Sequence, residues 1–226
     1  KAIFDETGKR IIGYIGGGCI ENRVAATAKE SLIDGLPKTI EIDLDSDEMG
    51  MGIPCGGYMS VIVEPQMLNK TLLIRGMGGL TEILCKMASL LKFKVIVQTP
   101  EDEKDRYPDA EKIITDSLEI EDIDFPVDFF ILATHHRNDD RISLEAIKKG
   151  IPYVGVVASA KKTGIILEYL RKNGATEEEL GCFFSPTGLE LNAKTPEHIA
   201  LSILSEMVML TNGGSGKQKK IKSTTD

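Results

Sequence analysis

Long apolar runs are missing from this chain: no stretch approaches the ~20 residues that a membrane-spanning helix needs. No signal peptide is visible, and the first residues, KAIFDETGKR, carry no initiator methionine. Cysteine is sparse. The four present, Cys19, Cys55, Cys85 and Cys182, are too widely spaced for a secreted disulfide framework, so reduced thiols in a cytoplasmic setting are expected. Excess positive charge is also lacking. The 35 acidic residues outnumber the 27 basic ones for a net charge of -8, and the lysine cluster KQKKIK (217–222) sits in a tail that reads as disordered. That balance argues against nucleic acid as a partner.

What remains is an ordinary globular composition, 42% hydrophobic and 27% charged over 226 residues. The length suits one large domain or two small ones. The texture changes near residue 67. KAIFDETGKRIIGYI reads as a hairpin with its turn at Thr7–Gly8. Ile20, Val24, Ala25, Ala28 and Leu32 keep near-helical spacing, and Gly35 is placed to end that helix. KTIEIDL (38–44) and YMSVIVEP (58–65) read as strands. These stretches make residues 1–66 a small α+β domain, followed by a short linker at 67–70.

From residue 71 strands and helices alternate. Apolar runs at 71–76, 94–98, 111–115, 128–134 and 152–157 read as strands, and the segments 80–93, 141–150, 163–174 and 196–207 as helices. Thr195 and Pro196 mark the start of the last helix. This rhythm predicts an α/β fold, a Rossmann-like doubly wound parallel sheet over 71–211. Residues 212–226 read as a flexible tail.

GMGGLT (76–81) stands between a strand and a helix, the context of a dinucleotide-binding loop. Gly76 and Gly78 permit a tight turn and close approach of a pyrophosphate to the helix N-terminus. The third glycine of that fingerprint falls on Thr81. The acidic ribose partner expected ~20 residues on falls on Gln98, which lacks the charge. In the usual strand order 3-2-1-4-5-6, the strands at 71 and 128 are neighbours. The loop THHRND (134–139) then faces the glycine loop, with His135, His136 and Arg137 suited to an anion. No cysteine or spaced carboxylate set completes a metal site around them.

Two cysteines lie beside the most flexible backbone, in GGGC (16–19) and PCGG (54–57). Cys19, with Gly17 and Gly18 before it, opens a helix whose dipole favours a thiolate. Cys55 and Gly56 belong to a glycine-rich turn whose amides can cradle an anion. Either these are small buried thiols in tight turns, or they are polar loops that meet a sulfur- or phosphate-bearing ligand. Cys85 and Cys182 read as structural.

Taken in order, GKRIIGYIGGGCIE, GIPCGG and a strand ending in EP resemble the N-terminal domain of the xanthine dehydrogenase accessory factors, the XdhC/CoxI family. LLIRGMGG, FKVIVQTP, RYPDAEKIIT, ATHHRNDD, YVGVVASAKKTG and SPTGLELNAKTPEHIALSILSEMV resemble that family's Rossmann domain. The resemblance runs from about residue 8 to residue 210. It departs from the family at Gly79, where a histidine is common, and at Gln98–Thr99, where acidic residues are common. It also begins inside the N-terminal domain, so an upstream segment is expected.

The resemblance implies a maturation factor that binds molybdenum cofactor (molybdopterin), protects it during sulfuration and delivers it to an apo molybdenum hydroxylase such as xanthine or carbon monoxide dehydrogenase. A cysteine desulfurase is the further partner implied, and a second copy of the chain is expected to cover the edge left by a first domain without its upstream segment. On this reading the protein is a cofactor chaperone rather than an enzyme. Cys19 and Cys55 would guard the sulfurated centre, and the crevice bordered by Gly76, Gly78, Gly79, Gln98, His135 and His136 would take the pterin's phosphate or nucleotide end. The alternative is an NAD(P)-dependent oxidoreductase with His135 or His136 as acid–base.

Overall fold

The computed structural model describes residues 1–43, 57–66, 69–134 and 138–219. The chain divides into two compact units, Lys1–Leu68 and Asn69–Asp226.

In the first unit, β1 (Ala2–Phe4) and β2 (Arg10–Gly13) form an antiparallel pair. The Asp5 carboxylate closes their turn by accepting the backbone N–H groups of Thr7 and Lys9, both at 2.9 Å. Gly8 takes the left-handed conformation there, with φ 78°. Helix α1 (Cys19–Asp34) ends where Gly35 adopts φ 67°, the left-handed stop that glycine supplies without a Cβ clash. β3 (Lys38–Asp43) and β4 (Tyr58–Val63) pair antiparallel. Strand alternation turns Ile42 and Val61 inward, where they pack with Val24 of α1 and with Phe4 and Ile15.

The second unit runs β5 (Thr71–Gly76), α2 (Gly78–Leu90), β6 (Lys94–Gln98), β7 (Lys112–Ile114), β8 (Phe129–Ala133), α3 (Asp139–Lys148), β9 (Val154–Val156), α4 (Ala160–Lys172), β10 (Phe183–Phe184) and α5 (Pro196–Thr211). The strands form a six-stranded sheet in the order β10-β9-β8-β5-β6-β7, every pair parallel. This is the doubly wound order expected from the sequence, with β5 and β8 adjacent. The central strands read as near-continuous apolar runs because both faces are covered. Leu72 and Ile74 of β5 join Leu84 and Ala88 of α2 and Ile203 and Leu204 of α5. Leu73 points the other way, into a cluster with Phe130, Ile142, Ala146, Ile166 and Leu170.

Element ends differ from the sequence reading where polar groups decide them. Helix α3 begins at Asp139, two residues before the segment read as helical. Helix α4 begins at Ala160, because the Ser159 side chain accepts the Lys162 N–H and caps it. Helix α2 starts at Gly78 and stops at Leu90 rather than running over 80–93. Beyond it Lys92 turns left-handed (φ 65°) and the Phe93 N–H reaches back to Ala88 O at 3.1 Å. β10 carries no signal of its own, being two residues long.

The SPTG segment explains itself here. Thr187 donates its backbone N–H to Val156 O (3.1 Å), and its hydroxyl meets the Tyr153 hydroxyl at 2.6 Å. Tyr153 also donates to Glu206 of α5, whose carboxylate accepts the Gly188 N–H at 3.0 Å. Gly188 has φ 106°, and a Cβ there would fall 2.5 Å from Ser202 Oγ. The motif thus ties the β9–β10 edge to α5, so its residue types follow from packing. Among the described residues, no helix is long and apolar enough to cross a membrane.

Candidate functional site

The crevice forms where β5 and β8 end. Gly76 is required by crowding: a Cβ on it would lie 2.5 Å from Thr81 Oγ1 and 2.7 Å from Ala133 O. Thr81, at the place of the fingerprint's third glycine, is fully buried and donates its hydroxyl to Met77 O at 3.3 Å. Its side chain fits because the close helix–strand approach is made at Gly76. Gly78 has φ 76°, and nothing lies near the Cβ position of Gly78 or Gly79.

A carboxylate that the sequence reading passed over sits at the helix start. Glu103, in the 3-10 turn Glu101–Arg106, accepts the Gly78 N–H at 3.1 Å and the Tyr107 hydroxyl at 3.2 Å, with Arg106 at 3.3 Å. The Gly78 amide bond leads the effects that hold the Glu103 carboxyl below the usual carboxylate range. A diphosphate at this amide has to displace Glu103. A carboxyl with a depressed folded pKa contributes stability above its unfolded pKa of ~4.3 and loses that contribution as pH falls through the folded value. Wild type and Glu103→Gln are therefore expected to differ in stability at neutral pH and to converge in acid. Urea unfolding across a pH series reads this directly, and a constant difference from neutral to acid would contradict it.

Gln98 closes β6 and is fully buried. Its side-chain amide nitrogen donates to Ser117 O at 2.9 Å, while its Oε1 is buried without a hydrogen-bond partner. Directly opposite it in the ladder stands Arg75 of β5. Arg75 Nη1 is likewise buried and unpartnered, and burial lowers the guanidinium pKa from its ordinary value, opposed by the charge of Glu119. Both side chains line a cavity of about 210 Å³ together with Met77, Pro100, Thr134 and Ile142. On the β8 side, Thr134 donates to Asp139 Oδ1 and Lys162 donates to Oδ2 of the same carboxylate. Asp139 is 2% exposed, and its position in the first turn of α3 suits its charge.

His135, His136 and Arg137 lie outside the described residues, as do Cys55 and Gly56. Cys19 is the first residue of α1 and is exposed. Before it, Gly18 (φ 55°) has open space around its Cβ position, and a Cβ on Gly17 would meet only Tyr14 Oη at 3.6 Å. The other two described cysteines behave differently. Burial pushes the Cys85 thiol up to about 12, and burial also raises Cys182, which donates to Glu179 O at 3.1 Å. Among the described residues, no group of three His, Cys, Asp or Glu side chains is placed to hold a metal ion.

Known families match both units: the family described as "XdhC Rossmann domain" over residues 72–207, and the "XdhC and CoxI family" over residues 1–43. The chain belongs to the XdhC family. Among relatives of this XdhC protein, the uncharacterized protein YqeB of Escherichia coli (strain K12) is 28% identical over 215 residues, 91% of the chain and 39% of YqeB. A probable xanthine dehydrogenase subunit of Bacillus subtilis (strain 168) is 29% identical over 106 residues, 45% of the chain and 30% of that protein. The chain thus spans well under half the length of these curated relatives. A crystal structure described as a xanthine dehydrogenase from Bacillus halodurans superposes with a TM-score of 0.56 at 22% identity, covering 97% of the chain and 87% of its counterpart. That likeness shows the shared fold.

Sequence reading missed Arg75 in the cavity wall, Glu103 at the Gly78 amide, and the Asp139–Lys162 pair beside Thr134. Arg75 carried one usable signal, a charge at the end of an otherwise apolar strand.

Proposed function

We propose that this XdhC chain is an accessory factor of a molybdenum hydroxylase of the xanthine or carbon monoxide dehydrogenase type, binding molybdenum cofactor and assisting its sulfuration and insertion. The observation that carries this reading is Cys19, an exposed cysteine that opens α1 directly after Gly17 and Gly18, in the unit that matches the XdhC and CoxI family. Cysteine suits a molybdenum centre because its sulfur is a soft ligand for a metal. When bound, the cofactor supplies the sulfurated metal centre that the client enzyme needs for hydroxylation. The chain's own part is to hold that centre away from water and oxidants until transfer. An apo molybdenum hydroxylase, a cysteine desulfurase as sulfur source and a second copy of this chain are the partners this role calls for.

Binding of anaerobically prepared molybdenum cofactor to wild type and to the Cys19→Ser/Cys55→Ser double variant tests the proposal. Submicromolar binding that falls at least tenfold in the double variant is expected. Equal binding by both proteins removes the cysteines from the role. Absent cofactor binding by wild type, with tight NAD(P) binding in its place, turns the reading to an NAD(P)-dependent oxidoreductase.

A further inference from the structure

The geometry points to the crevice of the Rossmann unit as a reader of a planar nitrogen heterocycle, one that presents a hydrogen-bond donor beside an acceptor to Gln98 and Arg75. This deepens the accessory-factor reading and rests on it only for the choice of pterin among such rings.

Two buried polar groups in one cavity lack partners and are complementary in kind. Arg75 Nη1 is a donor that wants an acceptor, and Gln98 Oε1 is an acceptor that wants a donor. They belong to directly opposed residues of adjacent strands, and both side chains line the same cavity. A buried polar group left unsatisfied is costly, so the group that completes this pair carries one donor and one acceptor side by side. The Gln98 amide cannot simply reverse its role, because its nitrogen is committed to Ser117 O at 2.9 Å.

Other ligand chemistries fit less well. The bridging diphosphate of a dinucleotide offers acceptors alone, which leaves Gln98 Oε1 facing another oxygen. It also meets Glu103, which already holds the Gly78 amide. A ribose diol can donate and accept, yet it is strongly hydrated, whereas Met77, Pro100, Leu118 and Ile142 make much of the cavity wall apolar. A flat ring edge satisfies the pair while its faces lie against those apolar side chains. The volume of about 210 Å³ is below the ~300–1,000 Å³ typical of pockets that enclose a drug-sized ligand. It suits one ring system rather than a whole dinucleotide. Pterins and purines all present such an edge, and separate binding arms distinguish them.

The test titrates the full chain with pterin, guanosine and adenosine, followed by pterin fluorescence and by calorimetry, with ribose 5-phosphate and pyrophosphate as competitors. Wild type is expected to bind at least one ring. Arg75→Met and Gln98→Met are each expected to weaken that binding about tenfold or more, the scale of one lost buried hydrogen bond. Neither competitor is expected to displace the ring. Should a variant fail to fold, methyl NMR of wild type decides instead, with the Met77, Leu118 and Ile142 signals expected to shift on ring addition. The inference is overturned by a wild type that binds no ring, by ring binding that ignores both substitutions, by methyl signals that stay still, or by ready displacement with ribose 5-phosphate or pyrophosphate. Cofactor binding that needs the cysteines, alongside ring binding that ignores Arg75 and Gln98, defeats this inference and leaves the accessory function standing. Ring binding lost in both crevice variants, with no cofactor binding by wild type, does the reverse.

Discussion

Lys162→Met is expected to destabilise the Rossmann unit by about 3 kcal/mol, the lower end of the cost of breaking a buried ion pair. Asp139 is 2% exposed and spends one carboxylate oxygen on the Thr134 hydroxyl and the other on Lys162 Nζ. Removing the lysine leaves a buried charge with half its support. Because the Lys162 side chain is itself 36% exposed, water screens part of the interaction and the upper end of the range is not reached. A change of about 3 kcal/mol lowers Tm by roughly 6–12 °C for a unit of this size. Asp139→Asn in the Lys162→Met background is expected to recover part of the loss, since the uncompensated charge is then gone. Calorimetry on the four proteins of that cycle gives the coupling. A Lys162→Met variant that melts with wild type would show that the pair contributes nothing.

Gly76→Ala is expected to cost about 2–3 kcal/mol, the upper part of the usual penalty for adding a methyl group to a packed site. The added Cβ would stand 2.5 Å from Thr81 Oγ1, 2.7 Å from Ala133 O and 3.2 Å from Ala133 C. The threonine hydroxyl can rotate away, but the β8 backbone is fixed by its parallel ladder to β5, in which Gly76 lies opposite Ala133. Thr81→Ala in the Gly76→Ala background is therefore expected to restore only a minor share. Full restoration would mean that the clash is with the side chain and that β8 yields. Since Gly76 also borders the cavity, the same variant is expected to weaken any ligand held there. Denaturant unfolding and ring titration of one preparation read both effects.

The two variants mark the boundary between local and distant information. Apolar runs alternating with helical periodicity predicted the doubly wound sheet, and β5, β6, β8 and β9 lie within the runs read as strands. Gly35 and Thr195–Pro196 ended and began helices as their backbone chemistry requires. The family resemblance was also legible, because its motifs are contiguous stretches. Gln98 was found by spacing, but its environment was not: that its nitrogen is bound at Ser117 and its oxygen orphaned depends on a loop 19 residues away.

Charged partners were the least legible. Nothing in EDEKDR tells Glu103 from its acidic neighbours until the turn after β6 carries it to the Gly78 amide, 25 residues back. Asp139 and Lys162 likewise meet across 23 residues, because the parallel strands β8 and β9 deliver their following loops to the same end of the sheet. By itself the sequence determined what short-range physics governs: which segments become helix or strand, where glycine and proline stop them, and which faces are apolar. Only the tertiary structure decided which polar groups are paired and which are left wanting. Hydrophobic burial is non-directional and repeats along the chain, whereas a hydrogen bond needs two specific atoms within about 3 Å, and only the folded chain brings them there.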